Sequence, residues 1–192
     1  MSTDQRTFRR TVLDLGDAVL RPWDRALDLP GGTVPALVAA AADPVIARWN
    51  PLGTDDPSAA EAYLDRCDTT WAEGRTGAFA ITDAADGTLC GNVALFWRDR
   101  EDGLAMIGYW LLPAARGRGL ATRATLAVAR WGVETAAARR LELAHAVGND
   151  ASCHVAERAG FRYEGTLRSS YRYPGRDYND EHLHARLADD AW

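Results

Sequence analysis

The stretch from Leu104 to Ala146 constrains the fold more than any other part of the chain. Leu104 to Leu112 is an apolar run closed by Pro113, and Arg116-Gly117-Arg118-Gly119 follows. A long helix is expected over about Gly117 to Ala137, with Leu120, Ala124, Ala127, Val128 and Trp131 on one face. Leu141 to Ala146 then reads as a strand. A chain that leaves one strand, makes a helix and returns to the same sheet needs a crossover, so these two strands should run parallel.

The remaining strands have hairpin signatures instead. Ala78-Phe79-Ala80-Ile81-Thr82 is followed by Asp86-Gly87, a hairpin turn, and then by the apolar stretch Leu89 to Trp97. A short strand at Ala18 to Trp23 stops near Pro22, because proline cannot donate to a ladder. Helix is expected over Val34 to Asp43, with a further turn at Val45 to Trp49 after Pro44, and over Ser58 to Glu73. A short helix at Asp150 to Ala159 ends at Gly160, and Phe161 to Tyr173 and Tyr178 to Leu187 pair through Pro174-Gly175. Helices thus interrupt a mainly antiparallel sheet, which defines an α+β fold of about seven strands and four helices. The 192 residues suit one domain spanning 1–192, with a core over about 18–188.

Net charge is −5, which argues against nucleic acid as the main partner. All 22 basic residues are arginine, so self-acylation on a lysine is excluded. Met1-Ser2-Thr3-Asp4-Gln5-Arg6 is polar and leads into no long apolar run, and no stretch is long enough to span a bilayer. Cys67, Cys90 and Cys153 show no metal-ligand spacing and suit thiols in a reducing cytoplasm. His182 and His184 share one face of the last strand, but the sequence places no further ligands beside them, so no metal is expected.

Arg116-Gly117-Arg118-Gly119-Leu120-Ala121-Thr122 lies between an apolar strand and an amphipathic helix. Backbone N–H groups at a helix N-terminus hold phosphates, and the helix dipole favours their charge. The glycines leave the backbone open, and Arg116, Arg118 and Arg123 offer charge for phosphate oxygens. The segment is neither a Walker loop, lacking a glycine-lysine-serine/threonine run, nor a dinucleotide fingerprint, lacking G-x-G-x-x-G.

Arg116, Gly119 and Ala121 match R/Q-x-x-G-x-G/A, and Asn149-Asp150-Ala151-Ser152, Glu157-Arg158-Ala159-Gly160-Phe161 and Glu164-Gly165 match a second pattern. With Gly108-Tyr109-Trp110 and Leu20-Arg21-Pro22-Trp23, these resemble the GCN5-related N-acetyltransferase (GNAT) superfamily, in its branch acting on ribosomal-protein N-termini. The resemblance runs over roughly Leu20 to Leu187. It implies acetyl-coenzyme A as co-substrate and a primary amine as acceptor, either a protein N-terminus or a small molecule. It also implies direct attack through a tetrahedral intermediate.

By the same resemblance Trp110, Leu111 and Leu112 carry backbone groups for pantetheine, one N–H polarising the thioester carbonyl, while the turn from Arg116 to Thr122 holds the pyrophosphate. Asn149 and Ser152 flank the sulfur, with Ser152 donating to the departing thiolate. A tyrosine acid common in the family falls at Ala156 and is absent, and two usual carboxylate positions are Met106 and Tyr171. Candidates for the base are therefore His145, whose intrinsic pKa suits the task, Glu142, Asp177 and Asp180, or water alone. The rival reading is a coenzyme A-binding sensor or scaffold without turnover, and a homodimer is left open.

Overall fold

Periodicity and turn chemistry produce one twisted eight-stranded sheet in the computed structural model, which describes residues 8–173, 175 and 177–192. The strands are β1 (Leu13–Asp14), β2 (Ala18–Pro22), β3 (Thr76–Asp83), β4 (Leu89–Asp99), β5 (Leu104–Leu111), β6 (Arg140–Ala146), β7 (Arg162–Arg172) and β8 (Tyr178–Leu187). Their order across the sheet is β1-β2-β3-β4-β5-β6-β8-β7. Every neighbouring pair is antiparallel except β5 with β6, the pair that flanks the long helix. The helices are α1 (Thr33–Ala41), α2 (Pro44–Trp49), α3 (Pro57–Ala72), α4 (Leu120–Ala136) and α5 (Asp150–Arg158).

The α+β class is as expected, with eight strands and five α-helices among the described residues rather than about seven and four. The additional strand, β1, is two residues long and exists through its pairing with β2, Leu13 opposite Leu20. Two residues leave no alternation to read. The additional helix is α2, which is separate from α1 because Asp43 caps it and Pro44 occupies its first turn. The long helix starts at Leu120 rather than Gly117, since Gly117 and Gly119 both adopt left-handed backbone, φ 75° and 69°. Residues 1–6 and Pro174 of the expected final turn lie outside the described residues.

Apolar side chains fill both faces of the sheet. On one face α4 buries Leu120, Ala124, Val128 and Trp131 against Leu95, Ile107, Leu141 and Leu143, with Ala156 of α5 and Phe161 closing the end. On the other, α1 and α3 pack Leu37, Ala40 and Leu64 against Trp23, Ala80 and Trp110. Near the first core Trp71, Phe79 and Trp131 meet edge to face, with ring centroids 5.1–5.7 Å apart. Gly77 lies under this cluster, and a Cβ there would meet the Trp131 ring at 2.5 Å. Gly77→Ala should therefore lower stability by about 1–3 kcal/mol through overpacking. A urea midpoint unchanged from wild type would contradict this.

Candidate active site

The site arises where the sheet opens. β5 and β6 pair only at Leu104–Arg140, Ala105–Leu141 and Met106–Glu142, although β5 continues to Leu111 and β6 to Ala146. Beyond Met106 the two strands part, and the freed end of β5 faces a cleft of about 340 Å³. Its walls are Tyr109 and Leu111 of β5, the Gly117–Thr122 turn, Asn149 and the α5 residue Ser152, and Ile46 and Trp49 of α2.

Strand alternation sorts the β5 backbone. The Leu112 N–H donates to the Cys90 carbonyl at 2.8 Å, and Trp110 lies opposite Asn92 in the same ladder. Residues 110 and 112 therefore turn their backbone groups toward β4, and residues 109 and 111 turn theirs toward the cleft. Trp110 also buries its side chain in the opposite core. Of the three expected backbone positions, Leu111 is the one whose N–H faces the opening.

Glycine geometry shapes the other wall. A Cβ at Gly117 or Gly119 would meet nothing within 4 Å, so these residues serve the left-handed turn and the open space above it. Gly119 caps α4 without a side-chain bond. Among the described residues no hydrogen bond takes the N–H groups of residues 117–122, leaving a cluster of donors at the positive end of a 17-residue helix. The structure thus offers the cradle that a pyrophosphate requires.

The arginines behave differently from the sequence expectation. Arg116 donates through Nε to the Leu111 carbonyl at 3.0 Å and forms an ion pair with Asp43 at 2.6 Å. Asp43 also accepts from the N–H groups of Val45 and Ile46, so Arg116 ties the turn to α2. Burial raises the Asp43 pKa, but the Ile46 N–H and Arg116 outweigh it and hold the carboxyl below its usual range. Arg118 lies 3.5 Å from Asp17 and 3.8 Å from Asp83, and Arg123 pairs with Asp17 at 2.7 Å. Each of these three arginines is thus paired with a carboxylate, while Arg116 also lines the cleft.

Asn149 caps α5 by accepting from the Ser152 N–H at 3.3 Å. Ser152 Oγ shares a 2.8 Å hydrogen bond with Tyr109 Oη at the floor of the cleft. Burial pushes the Tyr109 phenol up to about 12, against the opposing effect of Ser152. In the sequence Tyr109 is part of the Gly108-Tyr109-Trp110 motif, which by itself implies no task for its phenol. Alternation with Ala105 and Ile107, on the same face as α4 and α5, was the signal that could have found it.

His145 sits outside this cleft, in an adjoining hollow of about 50 Å³ that shares Tyr109, Asn149 and Ser152 with it. The His145 Nδ1 is 3.0 Å from the Ala146 carbonyl, and its Nε2 is 3.2 Å from His184 Nε2. Burial lowers the pKa of both rings. Glu142 accepts from Arg140, and Asp180 accepts from the Ser169 N–H, so two of the other base candidates are also engaged. Burial, then Glu157, pushes the Cys153 thiol up, which disfavours a cysteine nucleophile there.

The cleft joins a freed strand edge to a helix N-terminus that has no side-chain cap. The Acetyltransferase (GNAT) domain family matches residues 18–162, and the chain belongs to that family. YdaF of Bacillus subtilis (strain 168), provisionally named a ribosomal N-acetyltransferase, is 32% identical over 116 residues, 59% of this chain and 63% of that protein. A ribosomal-protein-serine acetyltransferase of Escherichia coli (strain K12) is 34% identical over 85 residues, 44% of this chain and 47% of that protein. These matches span less than two thirds of either relative. The fold is shared with RimL, a ribosomal L7/L12 alpha-N-protein acetyltransferase solved in complex with coenzyme A, at a TM-score of 0.80 and 21% identity over 92% of this chain and 98% of that one.

Proposed function

We propose that this chain transfers an acetyl group from acetyl-coenzyme A to a primary amine, a peptide N-terminus or a small amine, by direct attack. The observation that carries this reading is the cleft between the freed end of β5 and the open N-terminus of α4. Pantetheine is an extended chain with two amides, which suits strand-edge groups at Tyr109 and Leu111. The pyrophosphate suits the uncommitted N–H groups of residues 117–122. The names of the relatives favour a ribosomal protein as acceptor, and the net charge of −5 suits the approach of a cation.

Proton bookkeeping assigns the roles. The reaction turns R–NH2 and a thioester into an amide and a free thiol, so a proton leaving nitrogen ends on sulfur. With a Cys-like thiolate near ~8.5 and Tyr109 at about 12, transferring the phenol proton outright would cost about 5 kcal/mol. Tyr109 is thus poised to donate a hydrogen bond to Ser152, and Ser152 to stabilise the sulfur as it departs. An α-amine with a pKa near ~8 is partly neutral at physiological pH, so solvent can accept its first proton and no dedicated base is required.

The test is thiol release from acetyl-coenzyme A against a panel of N-terminal peptides and small amines. We expect turnover on at least one class, with peptide α-amines fastest. Tight coenzyme binding without turnover on any acceptor would favour the sensor or scaffold reading, which the engaged carboxylates Glu142 and Asp180 support.

A further inference from the structure

Beneath the first turn of α5 the fold gathers four soft or borderline metal ligands that the acetyl-transfer chemistry does not use. His145 of β6 lies directly opposite His182 of β8, and His184 is two residues further along β8, so all three imidazoles share one face of the sheet. α5 packs over that face and brings Cys153 down onto it. One ligand atom from each of His145, Cys153, His182 and His184 lies within 4.8 Å of all the others.

We propose that His145, Cys153, His182 and His184 form a tetrahedral site for a thiophilic divalent cation of the zinc class. Three imidazoles and one thiolate are a composition that zinc favours, and four protein ligands make a closed, structural site. A tetrahedral zinc with Zn–N near 2.05 Å and Zn–S near 2.3 Å separates its ligand atoms by about 3.3–3.6 Å. The Nε2 atoms of His145 and His184 are already 3.2 Å apart, and Cys153 Sγ is 3.9 Å from His184 Nε2. The widest separation, 4.8 Å, has to contract by a little over ~1 Å, and its movable members are the half-buried Cys153 and His182.

The surroundings orient one of these histidines as a metal ligand. The His145 Nδ1 faces the Ala146 carbonyl, which fixes the proton there and points the Nε2 lone pair into the cluster. His184 is fully buried, and among the described residues Nδ1 of both His182 and His184 lacks a hydrogen-bond partner. An imidazole offers a metal only its unprotonated nitrogen, and the ligand atoms of these three rings and of Cys153 converge on one point. Binding releases the Cys153 thiol proton to the buffer and forms the metal–sulfur bond, with no change in oxidation state.

The site has a mechanical consequence. Its ligands come from β6, β8 and α5, so the metal pins the start of α5, and with it the adjacent Ser152, to the sheet. In this arrangement His145 is a ligand and not the general base. The proposal does not depend on which acceptor, or whether any acceptor, is acetylated.

Tag-free, metal-free full-length protein titrated with cobalt(II) should show a thiolate charge-transfer band and strong tetrahedral d–d absorption. Both should saturate at one equivalent and disappear on adding zinc. Cys153→Ser should lose the charge-transfer band, and Cys153→Ser or His182→Ala should weaken binding by at least about tenfold. Should a variant not fold, iodoacetamide labelling of wild-type Cys153 provides the second readout, and zinc should slow it at least tenfold. Weak octahedral spectra with no charge-transfer band, or labelling indifferent to zinc, would overturn the site.

Discussion

Gly119→Glu is expected to weaken coenzyme A binding by roughly 30- to 1000-fold, measured by calorimetry. Residue 119 sits at the N-terminus of α4 with open space beside it, so the new side chain meets no protein atom at its Cβ. It would instead place a carboxylate where the diphosphate is proposed to sit. Two unit charges about 5 Å apart repel by about 1 kcal/mol in water and about 3 kcal/mol at an effective dielectric of 20, and a diphosphate carries more than one charge.

Backbone strain is a competing cause, because φ is 69° and a side chain there costs about 1–2 kcal/mol. That cost falls on the free and bound protein alike. Gly119→Gln has the same strain and bulk without the charge, so it should retain most of the affinity. Added salt should recover part of the loss in the glutamate variant and change little in the glutamine one. Equal affinity losses in the two variants would show that shape, not phosphate charge, governs the turn.

Much of this arrangement was legible because it is local. The strand–turn–helix passage through Arg116 to Thr122, the parallel strands flanking it and the Asn149 cap each depend on residues close in sequence. The parts that escaped depend on distant partners. The sequence around Arg116 does not show that Asp43, 73 residues away, pairs with it. Nor does it show which of residues 110–112 spend their N–H groups on the ladder, as Leu112 does with Cys90. The histidines at 182 and 184 share a visible strand face, but their neighbours His145 and Cys153 come from two other elements. Pairing register brings in the first and helix packing the second, and neither leaves a spacing signal.

The pairing of Tyr109 with Ser152 is non-local in the same way, and it leads to the second large effect. Ser152→Ala should lower kcat by about 10- to 100-fold while changing coenzyme affinity by no more than about threefold. A hydrogen bond to a charged group contributes about 1.5–3 kcal/mol, and here that charge exists only as the thiolate departs, so the loss falls on turnover rather than binding. Asn149 accepts from the backbone N–H at position 152, which alanine retains, so α5 keeps its cap.

Tyr109→Phe should cost less, about 3- to 10-fold, because the phenol acts through Ser152 and is too weak an acid to protonate sulfur itself. The double variant separates this relay from two independent contacts. If Tyr109 acts through Ser152, Tyr109→Phe should add almost nothing once Ser152 is alanine. Fully multiplicative losses would mean that the tyrosine reaches the reacting atoms by its own path, and an undiminished kcat in Ser152→Ala would remove both residues from the chemistry.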